Sequence, residues 1–265
     1  MRKVFFIALL ISVLQPHRLL AQTGLHGGVV SGFNSTWVIA QEQYEQNRYR
    51  YKKAFAFAPF GVSLGYKFNE RHGIQVEAFR SNIEGKYELL AENGVVGGEK
   101  VIDLKYWSIP LLFKFTSTGD VRFSFAIGPQ ISFLSEGEEY NTINQTIKFH
   151  RPGRSDTTFT PGTYLLASTE QTVPREVATF NNVDVGIASG IGVEYNFTDN
   201  LYLSANLRLN YNFRNVFNEE SIAYPHDIDT YTLRYNALGG IQLGLHYFFF
   251  DQDVRRSKKD PFENY

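Results

Sequence analysis

Residues 183–197, VDVGIASGIGVEYNF, alternate with period two over fifteen positions. Val183, Val185, Ile187, Ile191, Val193, Tyr195 and Phe197 share one face, broken only by Ser189. Asp184, Gly186, Ala188, Gly190, Gly192, Glu194 and Asn196 share the other. A helix cannot sort residues this way, but a strand with one apolar and one polar face does. The same pattern picks out seven more segments: 25–37, 58–68, 74–87, 102–115, 121–134, 201–213 and 235–249. In 74–87 the phase is lost near Phe79, which reads as a bulge. No helical period of comparable strength follows residue 22.

The connections alternate in length. Segments 69–73, 116–120 and 198–200 are short; 38–57, 88–101, 135–182 and 214–234 are long and polar. In an up-and-down barrel this puts every short turn at one rim and every long loop at the other, the asymmetry of outer-membrane barrels. The expected fold is all-β: an antiparallel transmembrane barrel of eight strands with short periplasmic turns and long external loops. Aromatic pairs end the strands that descend to the short turns: Tyr66 and Phe68, Phe113 and Phe115, Tyr195 and Phe197, Tyr247 and Phe249. One depth around a barrel is where an interfacial girdle of rings belongs.

The N-terminus supports export. Arg2 and Lys3 precede an apolar run, residues 4–14, that is too short to span a bilayer. Residues 1–21 read as a signal peptide, 22–250 as the barrel and 251–265 as a periplasmic tail carrying Arg255, Arg256, Lys258 and Lys259. Localisation in the outer membrane of a Gram-negative bacterium follows. The net charge of −1 gives no basis for nucleic-acid binding. With no Cys, thiolate metal sites and disulfides are excluded.

A soluble lipocalin-like carrier is the rival architecture. The polar face of 183–197 argues against it, being mostly Gly and Ala, which suit a crowded lumen better than a wet surface. The lumen is then expected to hold a structural cluster of Lys67, Glu77, Lys114, Arg122, Asp184, Glu194 and Arg208. Both signs occur, and buried charges need partners. A rigidifying plug of ion pairs is favoured over a conducting pore, because eight strands enclose little space.

No catalytic site, metal or cofactor is called for. Gly186, Gly190 and Gly192 lie within a strand with no helix after them, so they do not form a phosphate loop. Of the histidines after residue 22, His26 falls in the first strand, His72 in a turn, His150 and His226 in long loops, and His246 in the lumen; none is spaced as a metal pair. The enzyme alternative is a lipid-A-modifying hydrolase or acyltransferase using Ser221, His226 and Asp227 of the last long loop. Loop 135–182 is long enough to carry function. Tyr140, Phe149, Phe159 and Tyr164 are its contact aromatics, and 146–149 is expected to form an external hairpin with 164–167.

Segments 106–115, 125–135, 183–197 and 203–213 together resemble the PorT-like outer-membrane β-barrel proteins of Bacteroidota. The step Ile109-Pro110-Leu111, the pair Gly128-Pro129, the run from Gly190 to Glu194, and Arg208 carry the resemblance. It implies an integral eight-stranded barrel without enzymatic activity, in a structural, docking or secretion-accessory role. Its expected partners are outer-membrane lipid and lipopolysaccharide, and envelope or secretion proteins reached through loop 135–182 or the C-terminal tail.

Overall fold

The computed structural model describes residues 23–40, 49–91, 94–149, 157–169, 179–218 and 233–249. The segments read as signal peptide and tail lie outside them, as do His150, Ser221, His226 and Asp227. The described residues form twelve strands: β1 (Gly24–Ala40), β2 (Tyr49–Lys52), β3 (Ala54–Lys67), β4 (His72–Leu90), β5 (Val96–Thr116), β6 (Val121–Ile143), β7 (Ile147–Phe149), β8 (Thr157–Phe159), β9 (Gly162–Ser168), β10 (Val183–Asn196), β11 (Leu201–Asn212) and β12 (Arg234–Phe248). Eight of them form the barrel, paired antiparallel in the order β1, β3, β4, β5, β6, β10, β11, β12. β12 returns to β1 from His26↔Phe248 to Ala40↔Arg234, which closes the ring.

The short turns carry local hydrogen bonding that ends each strand abruptly. The Asn69 side-chain oxygen accepts the backbone N–H groups of Arg71 and His72, both at 2.9 Å. Thr198 Oγ1 does the same for Leu201 at 3.0 Å. Gly119 has φ +118°, which a side chain would oppose.

In the membrane-spanning half the apolar residues face outward. On β10, Val185, Ile187, Ile191 and Val193 are exposed, while Asp184, Gly186, Ala188, Gly190 and Glu194 are buried. This is the inverse of a soluble carrier, and it suits lipid outside and a packed lumen inside.

Higher up, the polarity of the two faces exchanges. β4 keeps its alternation through Phe79, which is buried in phase with Gln75, Glu77 and Ser81. The phase loss expected at Phe79 is therefore a change of solvent and not a bulge. Above it the outward residues are Arg80, Asn82, Glu84, Lys86 and Glu88, and the inward ones include Ile83, Tyr87 and Leu89. β5 changes likewise at Lys105, whereas on β6 the change coincides with a bulge in which Ser135 is the extra residue between Leu134↔Tyr106 and Glu136↔Lys105. Outside, Lys105 pairs with Glu136 at 2.5 Å, Arg80 with Glu136 at 3.5 Å and Lys52 with Glu99 at 3.1 Å. Such exposed pairs contribute only about 0–1 kcal/mol each, but they mark a surface in water. Inside, Val38, Ile83, Tyr87, Ile102, Leu104, Tyr106, Ala167, Phe180, Val216 and Phe217 form an apolar core. Burial of each large side chain there stabilises the cap by roughly 1.5–3 kcal/mol.

This cap corrects two expectations. The connection read as 88–101 is mostly strand, since only residues 91–95 separate β4 from β5. The first third of loop 135–182 also continues as β6 and β7. The external hairpin joins Ile147–Phe149 to Thr157–Phe159, whereas residues 164–167 lie in β9 beside β6. A pattern test tuned to apolar-outward strands misses strands whose outward face is charged. Above the membrane β2, β4, β5, β6 and β9 thus form one five-stranded sheet.

The two faces of β10 give a direct test. Ile187→Arg is expected to destabilise the inserted barrel by roughly 2–4 kcal/mol, read from urea unfolding in lipid vesicles. Single cysteines should separate the faces. A fluorophore on Ile187→Cys should be quenched by lipid-borne nitroxide, and Ala188→Cys should resist maleimide until the barrel unfolds.

Candidate functional site: the packed lumen

The lumen is built in layers, each made by inward residues at matching heights on neighbouring strands. Nearest the short turns is Glu194 on β10, fully buried among three cations. Lys114 Nζ lies 2.5 Å from it, an Arg122 guanidinium nitrogen 3.0 Å and Lys67 Nζ 3.6 Å. The register puts Arg122 directly opposite Glu194. Tyr202 from β11 presents its ring to both Lys114 and Arg122, at 5.6 and 5.5 Å. His246 stacks on Tyr202 with centroids 4.6 Å apart, and is held by Ser63 at 3.1 Å and Ser204 at 3.0 Å. His26 lies 3.1 Å from the Tyr202 hydroxyl. The buried Phe248 packs against His26 and Tyr202 at this end.

The next layer centres on Glu77. Arg208 pairs with it directly, Gln75 donates to it at 2.7 Å and Gln242 at 3.1 Å. Above, amides run in a chain. Asn210 donates to Gln130 at 2.6 Å, Gln130 to Asn212 at 3.4 Å, and Asn212 to Asp184 at 2.8 Å. Asn236 donates to Asp184 at 3.0 Å and to the Tyr106 hydroxyl at 3.1 Å. Ser81, Ser108 and Ser132 link across three strands at 2.8 and 3.1 Å. The apolar core of the cap then covers this column.

Within the cap sits one more charged group. Glu139 is paired with Lys100 at 2.9 Å and Arg234 at 2.5 Å, and Arg234 lies over the Phe217 ring at 4.6 Å. Burial would raise the Glu139 carboxyl, but Arg234 and Lys100 outweigh it and hold it down at about 2.

The structure thus brings Lys67, Lys114, Arg122 and Glu194 into one group and Glu77 and Arg208 into a second; Asp184 stands apart, held by amides. Tyr66, Phe68, Phe113, Phe115, Tyr195, Phe197, Tyr247 and Phe249 all face outward toward the short-turn rim. Ring centroids are 5.6 Å apart in the Tyr66–Phe68 pair and 5.1 Å in Tyr195–Phe197. Sequence reasoning missed Tyr202 and the amides Gln75, Gln130, Asn210, Asn212, Asn236 and Gln242. They share strand parity with the charged residues, which was the available signal. It also missed Lys100, Glu139 and Arg234, because their segments read as loops or strand ends.

A closed eight-stranded ring with an apolar outer band, a polar packed interior and one rim of short turns defines an outer-membrane β-barrel. The chain belongs to the outer-membrane protein β-barrel domain family, whose model matches residues 15–218. It is similar in fold to several solved barrels. Neisserial surface protein A is 16% identical, with 87% of this chain and 99% of that chain covered and a TM-score of 0.41. OprG from Pseudomonas aeruginosa is 11% identical, with 86% and 97% covered and a TM-score of 0.38. Ail of Yersinia pestis is 11% identical, with 85% and 99% covered and a TM-score of 0.36. No curated protein matches the chain.

Two expectations follow. Glu194→Gln leaves three buried cations without their carboxylate and should cost about 3–5 kcal/mol in urea unfolding; adding Lys67→Met should restore part of it. Glu139 has a folded-state pKa below its unfolded one. Its contribution is therefore complete above about 4.5, the ordinary carboxyl value, and is lost as pH falls toward about 2. Hydrogen exchange of β5 and β6 above Lys105 should rise through that window, and Glu139→Gln should flatten the dependence.

Proposed function

We propose that this chain is a non-enzymatic, non-conducting outer-membrane barrel of the PorT-like kind, acting as an anchored docking platform. The observation that carries the reading is the filled lumen: ion pairs and amides bridge it layer by layer, and an apolar core closes its outer end. A channel needs a continuous wet path. Here translocation would have to break buried ion pairs, each costly to separate. The polar side chains of the lumen bond one another, which leaves them poorly placed to act on a substrate.

What remains available for interaction is outside the barrel. The sheet of β2, β4, β5, β6 and β9 and the hairpin of β7 and β8 project beyond the apolar band. Docking of envelope or secretion proteins is assigned to residues 135–182 or to the C-terminal tail, and lipid and lipopolysaccharide to the apolar band. The secretion-accessory role and the Bacteroidota origin rest on the resemblance of the four segments in β5, β6, β10 and β11.

Three measurements test this. Purified protein in planar bilayers should show no stepwise conductance; reproducible steps would overturn the plug. An envelope protein recovered with the chain from native membranes should be lost when residues 147–159 are deleted and the barrel still migrates as folded. Lipid A from a deletion strain should keep its acyl pattern. A changed pattern, restored by the wild type but not by His226→Ala, would establish an enzyme instead.

A further inference from the structure

The wall of the barrel is not uniform. β3 and β4 pair only from Gly61↔Phe79 down to Lys67↔Gly73, and above that rung β3 follows β1 alone. The other side of the ring, from β6 through β10 and β11 to β12, is paired in unbroken register. Relief on that side comes from the side chains. Among the outward residues of β11, from Leu201 to Tyr211, Ala205 alone is small. Its ladder partners are Val193 and Leu243, and Val193 in turn stands opposite Phe123. The small residue leaves a gap in the apolar band, a groove of about 300 Å³ that Ala205 lines together with Phe123, Ile191, Val193, Leu207 and Ile241. Those five larger residues are all exposed on the outer face, so the groove opens onto lipid.

The shear of the ring gives the groove a direction. Phe123 stands two residues above the start of β6 at Val121, and Ala205 four above the start of β11 at Leu201. Ile241 stands seven above the end of β12 at Phe248. At about 3.3 Å per residue and a tilt of about 40°, Ile241 is roughly 15–20 Å above the short-turn rim. Half the hydrocarbon core of a bilayer is about 15 Å thick. The groove therefore begins near the rim at Phe123 and climbs obliquely through the periplasmic leaflet, the course of one acyl chain.

The low end of the groove is acidic. Turn 116–120 carries Asp120 and turn 198–200 carries Asp199; both are exposed, and neither turn holds a Lys or Arg. The Asp120 carbonyl accepts the Asn196 N–H at 3.3 Å, which sets the two turns side by side. Arg122, the cation next in sequence, is buried in the lumen against Glu194. A headgroup at this end meets carboxylates at the edge of a low-dielectric region, where an ammonium is attracted and a net negative headgroup is repelled. We infer that the groove binds one phospholipid of the periplasmic leaflet with an ammonium in its headgroup. One acyl chain lies from Phe123 across Ala205 to Ile241, and the amine lies at Asp120 and Asp199. This rests on the assignment of lipid to the apolar band and adds to it the headgroup, the leaflet and the place.

The test uses the full-length barrel in lipid nanodiscs with two photoreactive probes, phosphatidylethanolamine and phosphatidylglycerol, each with the same diazirine-bearing acyl chain. The ethanolamine lipid is expected to label peptides around residues 191–193, 205–207 and 241 at least fivefold more than the glycerol lipid. Unlabelled phosphatidylethanolamine should compete that labelling away. Ala205→Phe fills the groove and should abolish the preference for these peptides. Asp120→Asn with Asp199→Asn keeps the groove, and the two probes should then label it alike. Val62→Phe, which adds the same bulk to the exposed face of β3, should change nothing. Heat-modifiable migration confirms that each variant is folded. Even labelling of all outward positions would overturn the groove but keep lipid on the apolar band, whereas no labelling of outward residues would overturn both. The inference also falls if the two probes label the wild-type groove alike, or if folded Ala205→Phe is labelled like the wild type. Cross-linked dimers that Ala205→Phe dissolves would make the occupant a second copy of this chain and overturn it too.

Discussion

Every other feature of this molecule depends on the charge balance around Glu194. Eight strands form a ring too narrow to admit bulk water, so whatever faces inward must satisfy itself. One carboxylate among Lys67, Lys114 and Arg122 does this at the periplasmic end, and Glu77 with Arg208 does it one layer higher. The partners come from β3, β4, β5, β6, β10 and β11. The ion pairs therefore cross-link distant parts of the chain as well as filling space. Strand pairing alone would close the ring, but it would leave a lumen of unpaired charge.

The second constraint is the change of solvent along the strands. Along β4 and β5 period two continues without a break from the membrane into the cap, while the environments of the two faces change places; on β6 a bulge at Ser135 marks the change. Below Phe79, β4 shows lipid Ile74 and Val76 and hides Glu77; above it, β4 shows water Glu84 and Lys86 and hides Ile83 and Tyr87. One strand thus belongs to two solvent regimes. The cap can hold an ordinary apolar core because its outer face is wet. That core in turn seals the polar column beneath it, which ties the extramembrane fold to the closed state of the barrel.

Much of this was legible in the chain. The eight barrel strands, their order and their two faces follow from alternation and from the lengths of the connections. The parity of Asp184, Glu194, Lys114 and Arg208 was enough to put them on the inward side. The cap was less legible, because a search for apolar-outward strands reads charge inversion as loss of strand. Strands such as β7 and β8 are only three residues long and leave no periodic trace. Partnerships were not legible either. That Arg234 would meet Glu139, or Tyr202 His246, depends on register and shear across the closed ring, which no single strand records. The departure of β3 from β4 is of the same kind. Pro59 hints at irregularity, but only the pairing shows where the ladder ends.

The inversion of faces is the claim on which the rest stands, and a nitroxide scan along β4 tests it most directly. Labels at 74 and 76 should relax with oxygen and those at 80, 82 and 84 with a water-soluble nickel complex, while labels at 77, 79 and 81 should be shielded from both. Oxygen access that persists through 84 would deny the change of solvent. Nickel access at 77 or 79 would mean a water-filled lumen, and the packed barrel described here would be wrong.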